Sequence, residues 1–203
     1  MTIDLLIATL NPAKAQRLRV LCDELDVRFR TVEGAAPDVP ETASSHLGNA
    51  IAKAVGWSKA CGGAAIASDG GLVIPALGDG WESTLTRRST GEGEVSDEVR
   101  ARRLLGRMRE LSGVRREAYW TEAIALGRDG ALVCAWEADG TRGRIGTGYA
   151  PNPSGPPGFW ADGLWETSAG LKRWQLSDDE RAAILDPWAV LAEPVRDLLA
   201  RTR

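Results

Sequence analysis

Cysteine is scarce in this chain of 203 residues: Cys22, Cys61 and Cys134 lie far apart, with no CxxC pair. An odd, scattered set excludes a disulfide framework and a cysteine-built zinc site. It fits buried thiols in a reducing compartment, so a cytoplasmic location is expected. No run of about 18 apolar residues occurs, so no membrane span is expected. The opening MTIDLLIATLN lacks the basic start and long apolar core of a secretory leader, and reads as a first strand. Positive charge is not in excess: 25 Lys and Arg stand against 28 Asp and Glu, a net charge of −3, which argues against a nucleic-acid binder. Internal repeats and low-complexity linkers are absent too.

The composition does supply a core, with 43% hydrophobic residues. The length suits one domain over 1–203 built as two lobes, the second roughly 78–165. Ile3 to Thr9 reads as a buried strand, followed by a helix that Asn11 caps and Pro12 opens. Val27 to Val32 reads as a second strand and residues 34–42, with Pro37 and Pro40, as a loop. Ser44 or Ser45 caps the next helix, which runs to about Cys61. Ala64 to Ala67 is a third strand, ended by an Asp69-Gly70-Gly71 turn, and Leu72 to Leu77 a fourth. Ser96 caps a charged helix. Two strands, 117–126 and 132–139, flank the turn Arg128-Asp129-Gly130. Residues 140–170 read as mostly loop, before a helical turn from Ser177 and a last helix from Pro187. Strand and helix alternate early and strands cluster later. That pattern predicts an α/β fold, a mixed twisted sheet with flanking helices and two lobes around a central cleft.

Three places can carry chemistry. Thr9-Leu10-Asn11-Pro12-Ala13-Lys14 is a strand end opening a helix, where backbone N–H groups attract anions and Lys14 adds charge. It is not a P-loop, because the glycines are missing. In the second helix, His46, Asn49 and Lys53 share one face, with Leu47, Ile51 and Val55 opposite. A solvated polar face is the default explanation, and His46 taken alone reads as structural. Asp69 is the third place. It sits at the end of a strand, where open α/β sheets bind ligands, and Gly70 and Gly71 let a ligand approach the backbone. Arg87, Arg88, Lys172, Arg173 and Arg181 are further basic candidates, whereas most arginines in 100–116 read as a solvated helix and its flank. Eight tryptophans, several in the last third, suit either peripheral packing or a stacking surface for a flat ligand.

The order of these motifs is more specific than any one of them. Thr9-x-Asn11-x-x-Lys14, then Glu41 with Asn49-Ala50-x-x-Lys53-Ala54, then Ser68-Asp69-Gly70-Gly71-Leu72 resembles the inosine/xanthosine triphosphate pyrophosphatase family. The family pattern is T-x-N-x-x-K, E…N-A-x-x-K-A and D-D-S-G-L. Gly158-Phe159-Trp160-Ala161-Asp162 falls where that family has G-F-G-Y-D, and the stretch from Glu180 to Pro187 where it has E-K-x-x-I-S-H-R. The resemblance implies hydrolysis of a nucleoside triphosphate to monophosphate and pyrophosphate, with Mg2+ or Mn2+, by a homodimer. It implies Asp69 as catalytic carboxylate, Glu41 and Asp69 as metal ligands, and Lys14 and Glu41 beside Asp69 in catalysis. It implies Thr9, Asn11, Lys14, Asn49, Lys53, Gly70, Phe159, Trp160, Asp162, Arg181 and Asp186 as substrate-binding residues.

The physics agrees, because a polyanion needs amines and a hard cation. Asp69 could also orient or deprotonate the attacking water. The departures matter equally. Ser68 replaces an aspartate, Gly70 a serine, and Leu185-Asp186-Pro187 the base-reading S-H-R. Asp186 accepts hydrogen bonds where His and Arg donate, so an altered base preference is expected. Trp160, Trp165, Trp174 and Trp188 are candidates for stacking on the base. Two other readings stay open: hydrolysis of another phosphorylated metabolite, and a nucleotide- or partner-binding relic of the fold.

Overall fold

Ile3–Ile7 forms β1, and both of its neighbours, β2 (Val27–Arg30) and β3 (Ala64–Val73), run parallel to it. Parallel neighbours need crossover connections. Helix α1 (Pro12–Leu21) links β1 to β2, and α2 (His46–Cys61) lies between β2 and β3. Both helices begin where side-chain chemistry says they should. Asn11 Oδ1 accepts from the N–H groups of Ala13 and Lys14, and Ser45 Oγ accepts from that of Gly48. The computed structural model describes residues 2–30, 32, 35–85, 95–154 and 160–201. The chain divides into two compact units, Met1–Gly70 with Glu122–Ala138 and Pro187–Arg203, and Gly71–Thr121 with Asp139–Asp186.

In the first unit the strand order is β2-β1-β3-β4, where β4 is Glu117–Arg128, and β5 (Ala131–Asp139) pairs with β4. The β4–β5 turn needs positive φ at Asp129 and Gly130, and Asp129 Oδ1 also accepts from the Gly63 N–H. Two apolar layers cover this sheet. Ile66, Ile124 and Leu126 pack with Leu18 of α1 and with Leu191, Val195 and Leu199 of the last helix (Pro187–Arg201). Ala65, Ala67, Ala123 and Ala125 pack with Ala50, Ala54 and Trp57 of α2. The alanine layer brings the α2 backbone close to the sheet. A Cβ on Gly127 would stand 2.6 Å from the Ala54 carbonyl oxygen.

In the second unit the first residues of β4 pair antiparallel with β6 (Gly143–Ile145), and β6 with β7 (Trp165–Glu166), so the fold is mixed α/β as expected. Helix α3 (Asp97–Arg107) packs Leu104 with Leu72, Trp81, Trp160 and Trp165. This unit also holds the short helix α4 (Asp178–Ala182), and the last helix of the first unit is α5 (Pro187–Arg201).

Three expectations are corrected. Asp69-Gly70-Gly71 is not a turn, because β3 runs unbroken through it to Val73 and neither glycine takes positive φ. The separate strand at 72–77 is absent: β3 ends at Val73 and Pro75 opens a 3-10 turn. Arg100 and Arg116 are buried rather than solvated. The Arg116 guanidinium donates to the carbonyls of Met108, Leu111, Ile145 and Gly146.

Gly127→Ala is expected to destabilise the chain by about 2 kcal/mol, because the new methyl meets backbone that cannot rotate away. Urea denaturation reads the loss. An unchanged midpoint would mean that α2 does not sit this close to β4.

Candidate active site

Helix α2 buries the face that carries its polar residues. His46, Asn49 and Lys53 are all buried, while Leu47, Ile51 and Val55 are only half-buried. The expected polarity is therefore inverted, and the reason is Asp69. Alternation along β3 puts Asp69 on the same side as Ala65 and Ala67, the side α2 covers. His46 Nδ1 lies 2.7 Å from Asp69 Oδ2, and Lys53 Nζ donates to Asp69 Oδ1 at 2.8 Å. An ionised carboxylate only accepts, so His46 carries a proton on Nδ1. His46, read from the sequence as structural, thus touches the central carboxylate.

Burial alone would push the Asp69 carboxyl up. The His46 hydrogen bond and the Lys14 and Lys53 ammonium groups more than offset that, and hold it at about 2. A carboxylate held so low is a weak base. It is better suited to orienting a cation or a water by its charge than to removing a proton.

Lys14, in the first turn of α1, has its Nζ 3.8 Å from Asp69 Oδ1 and 3.6 Å from Glu122 Oε1. The backbone N–H groups of this turn are already occupied, contrary to the phosphate-loop expectation. Asn11 N–H donates to Thr9 Oγ1, and those of Ala13 and Lys14 donate to Asn11 Oδ1. Pro12 has no N–H to offer. Thr9 and Asn11 therefore shape the turn that presents Lys14, and the Lys14 side chain brings the positive charge.

Glu41 is half-exposed, with Oε1 3.8 Å from Lys53 Nζ. One ammonium thus stands between the two carboxylates expected to share a metal ion. The loop carrying Glu41 is pinned by Asn49, whose Oδ1 accepts from the Ala43 N–H at 3.0 Å. Gly70 continues β3 beside Asp69. Glu122 was not among the sequence candidates. Only its charge within an apolar strand, Glu117–Arg128, could have marked it. Among the described residues, no three His, Cys, Asp or Glu side chains form a ready-made metal cage.

The other candidates belong to the second unit. Trp160 and Trp165 are core residues there, and the Trp165 indole donates to the Ala118 carbonyl. Packing accounts for both rings. Asp162 accepts from the Asn152 amide, and Arg181 donates to the Leu176 carbonyl. Asp186 is not an isolated acceptor, because Arg173 donates to its Oδ2 at 3.4 Å. Lys172 is buried, donates to the Leu164 carbonyl and pairs with Glu166. Phe159, Arg87 and Arg88 lie outside the described residues. Trp188, in the first unit, packs under the Arg17 guanidinium, 5.4 Å from the ring centroid.

A model of the Ham1 family matches residues 5–183. The chain belongs to the Ham1 family. The match takes in every residue of the Asp69 cluster and ends before Leu185-Asp186-Pro187. A dITP/XTP pyrophosphatase of Mycolicibacterium paratuberculosis is 32% identical, over 98% of this chain and 98% of its own length. One from Symbiobacterium thermophilum is 30% identical over 89% and 87%. Among solved structures, a HAM1 protein from Coxiella burnetii has a TM-score of 0.78 at 24% identity, covering 98% of this chain and 99% of its own, which shows the Ham1 fold.

The folded-state value of Asp69 lies below its ordinary one, so folding favours the ionised form. That contribution is fully present above about pH 4, and is lost as pH falls through about 2. Asp69→Asn is expected to cost on the order of 2 kcal/mol or more at neutral pH, with the gap to wild type constant down to about pH 5 and closing below pH 4. Urea titrations at stepped pH measure it. A gap that widens in acid would contradict the assignment.

Proposed function

We propose that this nucleoside triphosphate pyrophosphatase holds its substrate's phosphates at the Asp69 cluster with a divalent cation, Mg2+ or Mn2+. We propose further that its base preference departs from the 6-oxo purines of its family. The observation that carries the reading is the convergence of Lys14, Lys53 and His46 on one buried, ionised carboxylate. Two ammonium groups a few ångströms from a strand-borne acid suit a polyanion: they can turn from Asp69 to phosphate oxygens without leaving the cluster.

The donor set fits a hard cation. Glu41 and Asp69 offer carboxylate oxygens, the half-exposed Glu41 is accessible, and Mg2+ is ordinarily held by one or two carboxylates plus phosphates and waters. When bound, such an ion neutralises charge on the phosphoryl oxygens and favours in-line attack by water. Lys14 and Lys53 bind phosphate. His46 fixes the Asp69 carboxylate through Oδ2, and Asn49 holds the Glu41 loop in reach of Lys53.

The altered base preference rests on the sequence: Leu185-Asp186-Pro187 stands where the resembled family has S-H-R, and the family match has already ended. Arg173 donates and Asp186 accepts at that position, so a base with an amino group can be read as well as one with a carbonyl. We place the enzyme in the cytoplasm as a homodimer acting on a free nucleotide. No helix among the described residues is long and apolar enough to cross a membrane.

The test is pyrophosphate release from 6-oxo purine, 6-amino purine and pyrimidine triphosphates, with Mg2+ or Mn2+ and after chelation. Wild type is expected to release pyrophosphate, including from bases other than 6-oxo purines, and to stop when the cation is removed. Asp69→Asn is expected to lose roughly 100-fold or more. Release confined to 6-oxo purines would sink the altered preference. Nucleotide binding without release from any substrate would favour the relic reading instead.

A further inference from the structure

Glu122 has no part in the chemistry above, yet its position is costly. The residue is 6% exposed and its Oε1 accepts no hydrogen bond. A buried carboxylate kept only for packing would end its oxygens on donors, as Asp69 does on His46 and Lys53. Lys14 Nζ stands 3.6 Å from Glu122 Oε1, and Lys14 also faces Asp69 Oδ1 at 3.8 Å. Asp69 has Lys53 and His46 besides, so of the two acids Glu122 is the one that depends on the shared ammonium.

Strand geometry says which side this charge is on. Ile124 and Leu126 of β4, and Ile66 of β3, pack into the layer under α1 and α5. Two residues back along each strand, on the same face, are Glu122 and Ser68. Strands β3 and β4 are neighbours. The Ser68 hydroxyl is fully buried and also lacks a hydrogen bond; burial pushes the Glu122 carboxyl up, and Lys14 and the nearby Ser68 hydroxyl offset that only in part. Two unsatisfied oxygens therefore share one face of adjacent strands, the face opposite the one α2 covers, and Lys14 Nζ reaches both Glu122 there and Asp69. Serine at 68 is the position where the resembled pattern D-D-S-G-L carries its first aspartate.

We propose that Glu122 is a carboxylate ligand of the divalent cation, delivered from β4 to the face on which β3 offers only Ser68. The inference rests on the metal-dependent reading above. It adds a third acidic residue to Glu41 and Asp69, and it explains how the chain does without an acid at position 68: the carboxylate has moved one strand across.

The test is Mn2+ binding to the full chain without nucleotide, followed by electron paramagnetic resonance, with the metal-free melting temperature recorded for each variant. Glu122→Gln is expected to weaken Mn2+ binding at least about tenfold. Adding Ser68→Asp to that variant is expected to restore it. A wild type that binds no Mn2+ would remove the metal-dependent reading and this inference together. Glu122→Gln binding Mn2+ like wild type would overturn the role of Glu122 alone. Weakened binding that Ser68→Asp does not restore would assign the effect to Lys14 or to packing, and overturn the proposal as well. Should the double variant melt below the assay temperature, Glu122→Asp replaces it: retained binding supports the proposal, and loss to the Glu122→Gln level overturns it.

Discussion

A carboxylate inside a packed sheet must be compensated where it stands, and Asp69 imposes that requirement on everything around it. Leaving its charge unpaired would cost several kcal/mol. The compensation arrives from two helices at once. α2 supplies His46 and Lys53 from one face, seven residues apart and so two turns along the same stripe, and α1 supplies Lys14 from its first turn. These contacts need α2 close to the sheet. The alanines at 50, 54, 65, 67, 123 and 125 and the bare Cα of Gly127 make that approach possible. The small-residue layer and the polar cluster are thus two parts of one solution.

Much of this was legible in the sequence because the signals were local. Asn11-Pro12 marks a helix start through the chemistry of one side chain and one ring, and Ser45 and Ser96 do the same. The motif order placed Lys14, Glu41, Asn49, Lys53 and Asp69 together, and in the first unit contacts of 3.8 Å or less link Lys14, Lys53 and Asp69, with Lys53 in turn facing Glu41.

What the sequence concealed is non-local. Gly70-Gly71 reads as a turn, but β3 stays extended through it, past the end of its pairing with β1 at Ile66, with β4 as its other neighbour in the sheet. His46-x-x-Asn49-x-x-x-Lys53 reads as a wet face because polar residues usually face water. Burying it becomes favourable only once Asp69, from a strand further along the chain, is opposite. The first-turn amides of α1 read as open to an anion, but Thr9 and Asn11 lie in the same segment and occupy them. Glu122 is the extreme case. It is one charge in the apolar run of β4, and its meaning depends on Lys14 and Ser68, more than fifty residues away.

Asp69 and Glu122 show how one site can drive two acids in opposite directions. Burial raises both. At Asp69 a short imidazole contact and two ammonium groups reverse the shift, while at Glu122 burial outweighs the Lys14 ammonium and the Ser68 hydroxyl, and the neighbouring Asp69 charge raises it further. Environments that separate two carboxylates in this way assign them different work. Asp69 is ionised and fully engaged before any ligand arrives, so it fixes the geometry of the cluster. Glu122 has an oxygen to spare and an electrostatic deficit that one shared lysine does not remove. Of the two, it is the group whose state an incoming cation would change most.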